Sequence, residues 1–87
     1  MNITKSSTAG TMQSSDLIVH VEPAERLEIR IESTVKQQFE HLIRERVEAV
    51  LKRHAVAHAL VKVSDRGALD YAIEARVETA LRRAAEV

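Results

Sequence analysis

The spacing of the apolar residues alternates between two periods, and this constrains the fold more than any other feature of the sequence. Every second residue is apolar in 17–21, 27–31 and 59–63, which is typical of strands with one buried face. After the second and third of these stretches the spacing becomes that of an amphipathic helix. The pattern predicts an α+β fold with the order β-β-α-β-α.

Both helical segments show a continuous apolar stripe. Thr34 and Gln37 have the spacing of a capping box, so we expect the first helix to start near Thr34. The second helix follows a predicted turn at 65–67. The stripe residues are Val35, Phe39, Leu42, Ile43, Val47, Val50 and Leu51 in the first helix, and Leu69, Ile73, Val77 and Leu81, widened by Ala72, Ala80 and Ala84, in the second.

The connections between the strands suggest how they pair. Pro23 lies in the short link between the first two strands, which favours an antiparallel hairpin. The second and third strands flank the long helix, and such a crossover makes them parallel if they share a sheet. We therefore predict a small mixed β-sheet with two helices packed on one face.

The chain divides into two parts by composition. Residues 1–16 are rich in Ser and Thr and show neither period, so they are predicted to be a mobile N-terminal arm. Residues 17–87 are predicted to form a single α+β domain, because 87 residues are too few for a second core.

Charge and composition exclude several classes of partner. The 13 Lys and Arg residues balance the 13 Asp and Glu residues, so no net field attracts nucleic acid or an anionic membrane. Phe39 and Tyr71 are the only aromatic residues, too few for base stacking. No apolar run follows Lys5 and no stretch is long enough to span a membrane. We expect a cytoplasmic protein that binds neither nucleic acid nor membrane.

The sequence contains no convincing active site of its own. It has no cysteine, no glycine-rich phosphate loop and no nucleophile elbow, and so small a domain is expected to lack a substrate-enclosing cleft. His54 and His58 have helical metal-ligand spacing but lack a third ligand, so no metal site is predicted. His20 and His41 stand alone and receive no chemical role. We predict no catalytic residue.

Three separated blocks resemble one known family. They are residues 9–16 (AGTMQSSD), residues 33–39 (STVKQQF) and residues 65–70 (DRGALD). The first is similar to the modification site of the citrate lyase acyl carrier protein, or gamma subunit. The other two are similar to that family's S-S-V-x-x-Q-F and D-x-G-A-L-D segments, so the resemblance covers essentially the whole chain.

The resemblance implies a covalently attached group. The family carries phosphoribosyl-dephospho-coenzyme A in phosphodiester linkage to a serine, and Ser14 matches that serine. Ser15, a second hydroxyl, stands where the family often has glycine and is the second choice. Asp16 either orients the serine or a metal-bound donor, or begins the strand; common usage of Asp at turns favours the latter.

The resemblance also implies a role and partners. The chain would present acetyl and citryl thioesters to the alpha (acyl transferase) and beta (citryl lyase) subunits of citrate lyase, which cleave citrate to acetate and oxaloacetate. A separate enzyme would load the group onto Ser14. The alternatives are the carrier subunit of citramalate lyase or of malonate decarboxylase, and an interaction module that carries no group.

Overall fold

One face of a four-stranded sheet is buried beneath two helices, in a computed structural model that describes residues 1–33 and 39–85. The strands are β1 (Ser7–Gly10), β2 (Leu17–Glu22), β3 (Leu27–Ser33) and β4 (Ala59–Asp65), and the helices are α1 (Glu40–Arg53) and α2 (Asp70–Ala85). The α+β class is confirmed. The order β-β-α-β-α is corrected to β-β-β-α-β-α.

The additional strand lies in the segment predicted to be a mobile arm. β1 pairs antiparallel with β2, from Ser7 opposite Val21 to Gly10 opposite Ile18. No local pattern indicates this strand, because its residues, STAG, are small and do not alternate between apolar and polar. The Ser7 hydroxyl donates to the Ala80 carbonyl of α2 at 2.5 Å. Because β1 and α2 lie this close together, the position accommodates a short side chain. The mobility of residues 11–16 stays a prediction.

The strand order β1-β2-β4-β3 corrects the predicted hairpin between 17–21 and 27–31. β4 lies between β2 and β3 and pairs antiparallel with the former and parallel with the latter. The link that contains Pro23 therefore crosses the end of the sheet at which β4 starts. There the Arg26 carbonyl accepts a hydrogen bond from the Ala59 amide. The parallel pairing across α1 is confirmed.

The two-residue period of the strands defines the core. The odd-numbered residues of β2 and β4 are buried beneath the helices, while most even-numbered ones are partly exposed on the other face. The predicted helical stripes meet this layer with Ile43, Val47, Val50 and Leu51 of α1 and with Ile73, Val77, Ala80, Leu81 and Ala84 of α2. Phe39, Leu42 and Leu69 also belong to the predicted stripes but are exposed.

The predicted capping box of Thr34 and Gln37 lies outside the described residues, as does Val35. The described part of α1 starts at Glu40, and Phe39 before it makes no side-chain capping bond. The start of α2 is organised by Asp65, a buried carboxylate that accepts hydrogen bonds from Ser33, from the Gly67 amide and from the Ala68 amide. The DRGALD block thus forms the turn into α2.

Gly10 closes the β1–β2 hairpin in a conformation that requires glycine. Its φ is +105°, and a Cβ built there would lie 1.8 Å from the Leu17 carbonyl oxygen. Gly67 also has positive φ, +90°, but a Cβ there meets nothing within 4 Å.

We expect Gly10→Ala to destabilise the chain by about 3 kcal/mol or more, since backbone strain and a backbone clash add together. Gly67→Ala is the matched control and should cost about 1–2 kcal/mol, the strain alone. Urea unfolding followed by circular dichroism measures both. Equal losses in the two variants would contradict this account of the hairpin.

Candidate functional site

The candidate serines lie at the tip of the β1–β2 hairpin. Residues 11–16, here called the serine loop, join the two strands. A hydrogen bond from the Asp16 amide to the Gln13 carbonyl, 3.2 Å long, closes a four-residue turn within this loop. Ser14 and Ser15 are its two central residues, and both are exposed. The turn lies at the edge of the sheet where β4 ends, because the Ser15 amide donates to the Arg66 carbonyl at 2.8 Å.

Ser15 occupies the strained position of the turn. Its φ is +64°, in the left-handed region, whereas Ser14 is not among the residues with positive φ. A positive φ at the third residue alone is the pattern of a type II turn, which prefers glycine there. The turn therefore gives a physical reason for glycine at the position of Ser15.

The two central serines differ in their backbone contacts and not in their hydroxyls. In the described ranges 1–33 and 39–85, neither hydroxyl has a hydrogen bond, whereas the Ser15 amide donates to Arg66 and the Ser14 amide makes no such bond. By contrast, the hydroxyl of Ser7 is tied to α2. An exposed hydroxyl without a partner can enter the active site of another protein and be activated there.

The Asp16 carboxylate holds the loop together. It accepts four hydrogen bonds: from the Thr11 hydroxyl at 2.5 Å, from the Leu17 amide at 2.8 Å, and from Nε and Nη2 of Arg76 at 3.1 and 2.9 Å. The Asp16 side chain is 15% exposed. These donors, Thr11 first and then Arg76 and the Leu17 amide, lower the pKa of Asp16 from 3.8 to about 2.

Asp16 lies directly before strand β2, and its carbonyl accepts a hydrogen bond from the Arg66 amide at 2.9 Å. Sequence reasoning missed Arg76 and gave Thr11 no role. Thr11 stands in the block that carries the resemblance, but nothing in the sequence connects Arg76 with a loop 60 residues away.

The histidines lie apart from the serine loop. His54 ends α1 and its Nε2 lies 3.1 Å from Glu78, whereas His58 precedes β4 and its Nδ1 lies 2.7 Å from the Glu25 carbonyl. Within the described part of the chain, no group of three or more His, Cys, Asp or Glu residues is placed to hold a metal ion. Nor does that part contain a helix long and apolar enough to cross a membrane.

An open groove of about 710 Å³ lies between α1 and the start of β3, a larger space than the sequence predicted. Its apolar floor includes Leu27, Ile29 and Leu51, and charged residues including Arg44 and Lys52 line it as well. The groove is at the end of the sheet where β3 starts, opposite the serine loop. None of the described residues that line the groove is a serine, cysteine or histidine.

Comparisons with known proteins agree over almost the whole chain. The family model described as malonate decarboxylase delta subunit (MdcD), an acyl carrier family, matches residues 4–84. The citrate lyase acyl carrier protein of Treponema denticola is 44% identical over 86 residues, covering 99% of both chains. That of Vibrio cholerae is 46% identical over 89 residues, covering 100% of this chain and 91% of the relative.

A solved structure has the same fold. A chain of the Pseudomonas malonate decarboxylase hetero-tetramer in complex with malonate superimposes with a TM-score of 0.72, covering 93% of this chain and 84% of that one. The two sequences are 21% identical, so this likeness concerns the fold.

We expect Asp16→Asn to lower the free energy of unfolding by about 1–2 kcal/mol at neutral pH, because charge-assisted hydrogen bonds are lost. The folded-state pKa is below the unfolded one, so the stabilisation is complete above about pH 4 and is lost as the pH falls toward about 2. Urea unfolding of both proteins across this range measures the difference. A difference that does not change with pH would contradict the ionic role of Asp16.

Ser15→Gly should stabilise the chain by about 0.5–1 kcal/mol, the strain relieved less the extra chain entropy of glycine. Ser15→Ala is the control, because it removes the same hydroxyl and keeps the strain. Thermal unfolding compares the three proteins. If alanine stabilises as much as glycine, the effect comes from the hydroxyl and not from the backbone.

Proposed function

Because the chain belongs to the citrate lyase acyl carrier protein family, we propose that it is the acyl carrier subunit of a citrate lyase, with its prosthetic group on Ser14. The observation that carries the proposal is the identity of 44–46% with such carriers over the whole chain. The proposed group is phosphoribosyl-dephospho-coenzyme A, joined to the serine by a phosphodiester.

The surroundings of Ser14 fit such an attachment. The hydroxyl is exposed at the tip of a hairpin, and the loop projects from the end of the sheet rather than from a cleft. A bulky group can therefore be added there without displacing core residues. When bound, the group supplies a terminal thiol on which acyl groups are carried as thioesters.

The chain's own part in the reaction is to present and not to catalyse. Beside Ser14, the one carboxylate that organises the loop, Asp16, is fully engaged by Thr11, Leu17 and Arg76 and has a lowered pKa. A carboxylate so strongly held in its charged form is a poor general base. We infer that a base of the loading enzyme removes the Ser14 proton, and that the alpha and beta subunits supply the later acid and base chemistry.

The carrier of malonate decarboxylase is the second candidate, since the matching family model bears that name. The structural likeness to the malonate decarboxylase chain has only 21% identity, about half of the identity to the citrate lyase carriers. Citramalate lyase would use the same arm chemistry. Activity of the loaded chain with the large subunits of each complex, given citrate, citramalate or malonate, separates the three.

Mass spectrometry of the chain produced together with its loading enzymes tests the attachment. We expect one phosphoribosyl-dephospho-coenzyme A adduct, on the tryptic peptide 6–26. Ser14→Ala should abolish the adduct and Ser15→Ala should retain it. Absence of any adduct on the unsubstituted chain would contradict the carrier function, and the reverse result for the two variants would move the site to Ser15.

A further inference from the structure

Arg76 connects the serine loop to a helix that is distant in sequence. It lies in the second turn of α2, and two nitrogens of its guanidinium donate to the two carboxylate oxygens of Asp16, at 3.1 and 2.9 Å. Such a two-point contact fixes the orientation of both groups, which a single hydrogen bond does not. The next residue, Val77, is fully buried, so the base of the Arg76 side chain is fixed by the core.

The position of Ser14 follows from that of Asp16. Asp16 closes the turn through its amide, holds Thr11 through its carboxylate and joins β4 through its carbonyl. Thr11 and Asp16 are the two ends of the loop, so Ser14 lies within a short segment whose ends are held together. Without Arg76, a mostly buried carboxylate would keep only the Thr11 hydroxyl and the Leu17 amide as donors.

Asp16 is the only ion-pair partner of Arg76 among the residues described. The Arg76 side chain is 40% exposed. Arg82, six residues further along α2, makes a single hydrogen bond to Glu78 at 3.2 Å with an exposed side chain. Of the three arginines of α2, Arg83 donates to the Thr8 carbonyl of β1, and Arg76 contacts the loop.

We propose that Arg76 is a positioning residue for the modification of Ser14, acting through Asp16. This inference rests on the carrier function proposed above. In the modification, the Ser14 Oγ attacks a phosphorus of a phosphoanhydride donor: the Oγ–P bond forms, the bond from that phosphorus to the leaving phosphate group breaks, and the serine proton passes to a base of the loading enzyme. In-line attack requires the hydroxyl at a defined place, which Arg76 provides by ordering the loop.

The test is the rate of loading of purified chains by the loading enzyme and its donor, followed by intact mass. Arg76→Ala should lower kcat/KM about 10- to 100-fold, as expected for a displaced nucleophile. Arg82→Ala, the matched control, should load at the rate of the unsubstituted chain. Circular dichroism and urea unfolding establish that each variant is folded at the assay temperature.

Two further variants separate positioning from general stability. Asp16→Asn should slow loading as Arg76→Ala does, and the double variant should be no slower than either single one, because the two residues act as one unit. Arg76→Lys retains the charge but not the two-point contact and should load at an intermediate rate. If Arg76→Ala does not fold, the loading rate of Arg76→Lys tests the positioning role in its place.

The proposal is overturned if folded Arg76→Ala loads at the rate of the unsubstituted chain, or if the effects of Arg76→Ala and Asp16→Asn multiply. It is also overturned if the loading rate of the variant falls only in proportion to the fraction of that variant that is unfolded. Failure of the unsubstituted chain to become loaded is a different result, which would refute the carrier function itself.

Discussion

The packing of α2 across β1 and β2 is the constraint on which the rest of the structure depends. Val77, Leu81 and Ala84 are fully buried against the sheet, and this apolar contact is the main source of stability in so small a chain. The same helix anchors the N-terminal residues, since the Ala84 carbonyl accepts hydrogen bonds from the amides of Thr4 and Lys5. It also brings Arg76 to Asp16. The core and the serine loop therefore have one common support.

This arrangement changes how the proposed carrier would work. A mobile arm was expected to give the attachment serine its freedom to visit several active sites. The structure places the serine on a hairpin loop held by the ion pair of Asp16 with Arg76, by a closed turn and by two hydrogen bonds with Arg66, and these contacts favour an ordered loop. We infer that the reach between active sites comes from the attached group, while the protein presents a fixed point from which that group extends.

The sequence predicted most of the core, because burial of alternate residues in β2 and β4 and of every third or fourth residue in the helices leaves a local pattern. It did not predict β1, since only Ala9 of that strand is buried and its neighbours are small and polar. It also placed β2 beside β3, because the insertion of β4 between them is decided by pairing over some 40 residues. The serine loop was found by resemblance, but the contact of Arg76 with Asp16 is a long-range one that no local pattern announces.

The order of the serine loop is the most direct test of this account. Amide ¹⁵N relaxation of the unmodified chain yields order parameters for residues 11–16 and for the flanking strands. The account predicts values for Ser14 and Ser15 close to those of β2, about 0.8, and a clear decrease in Arg76→Ala. Values below about 0.6 in the unsubstituted chain would show a flexible loop and contradict the claim that the serine is presented from a fixed position.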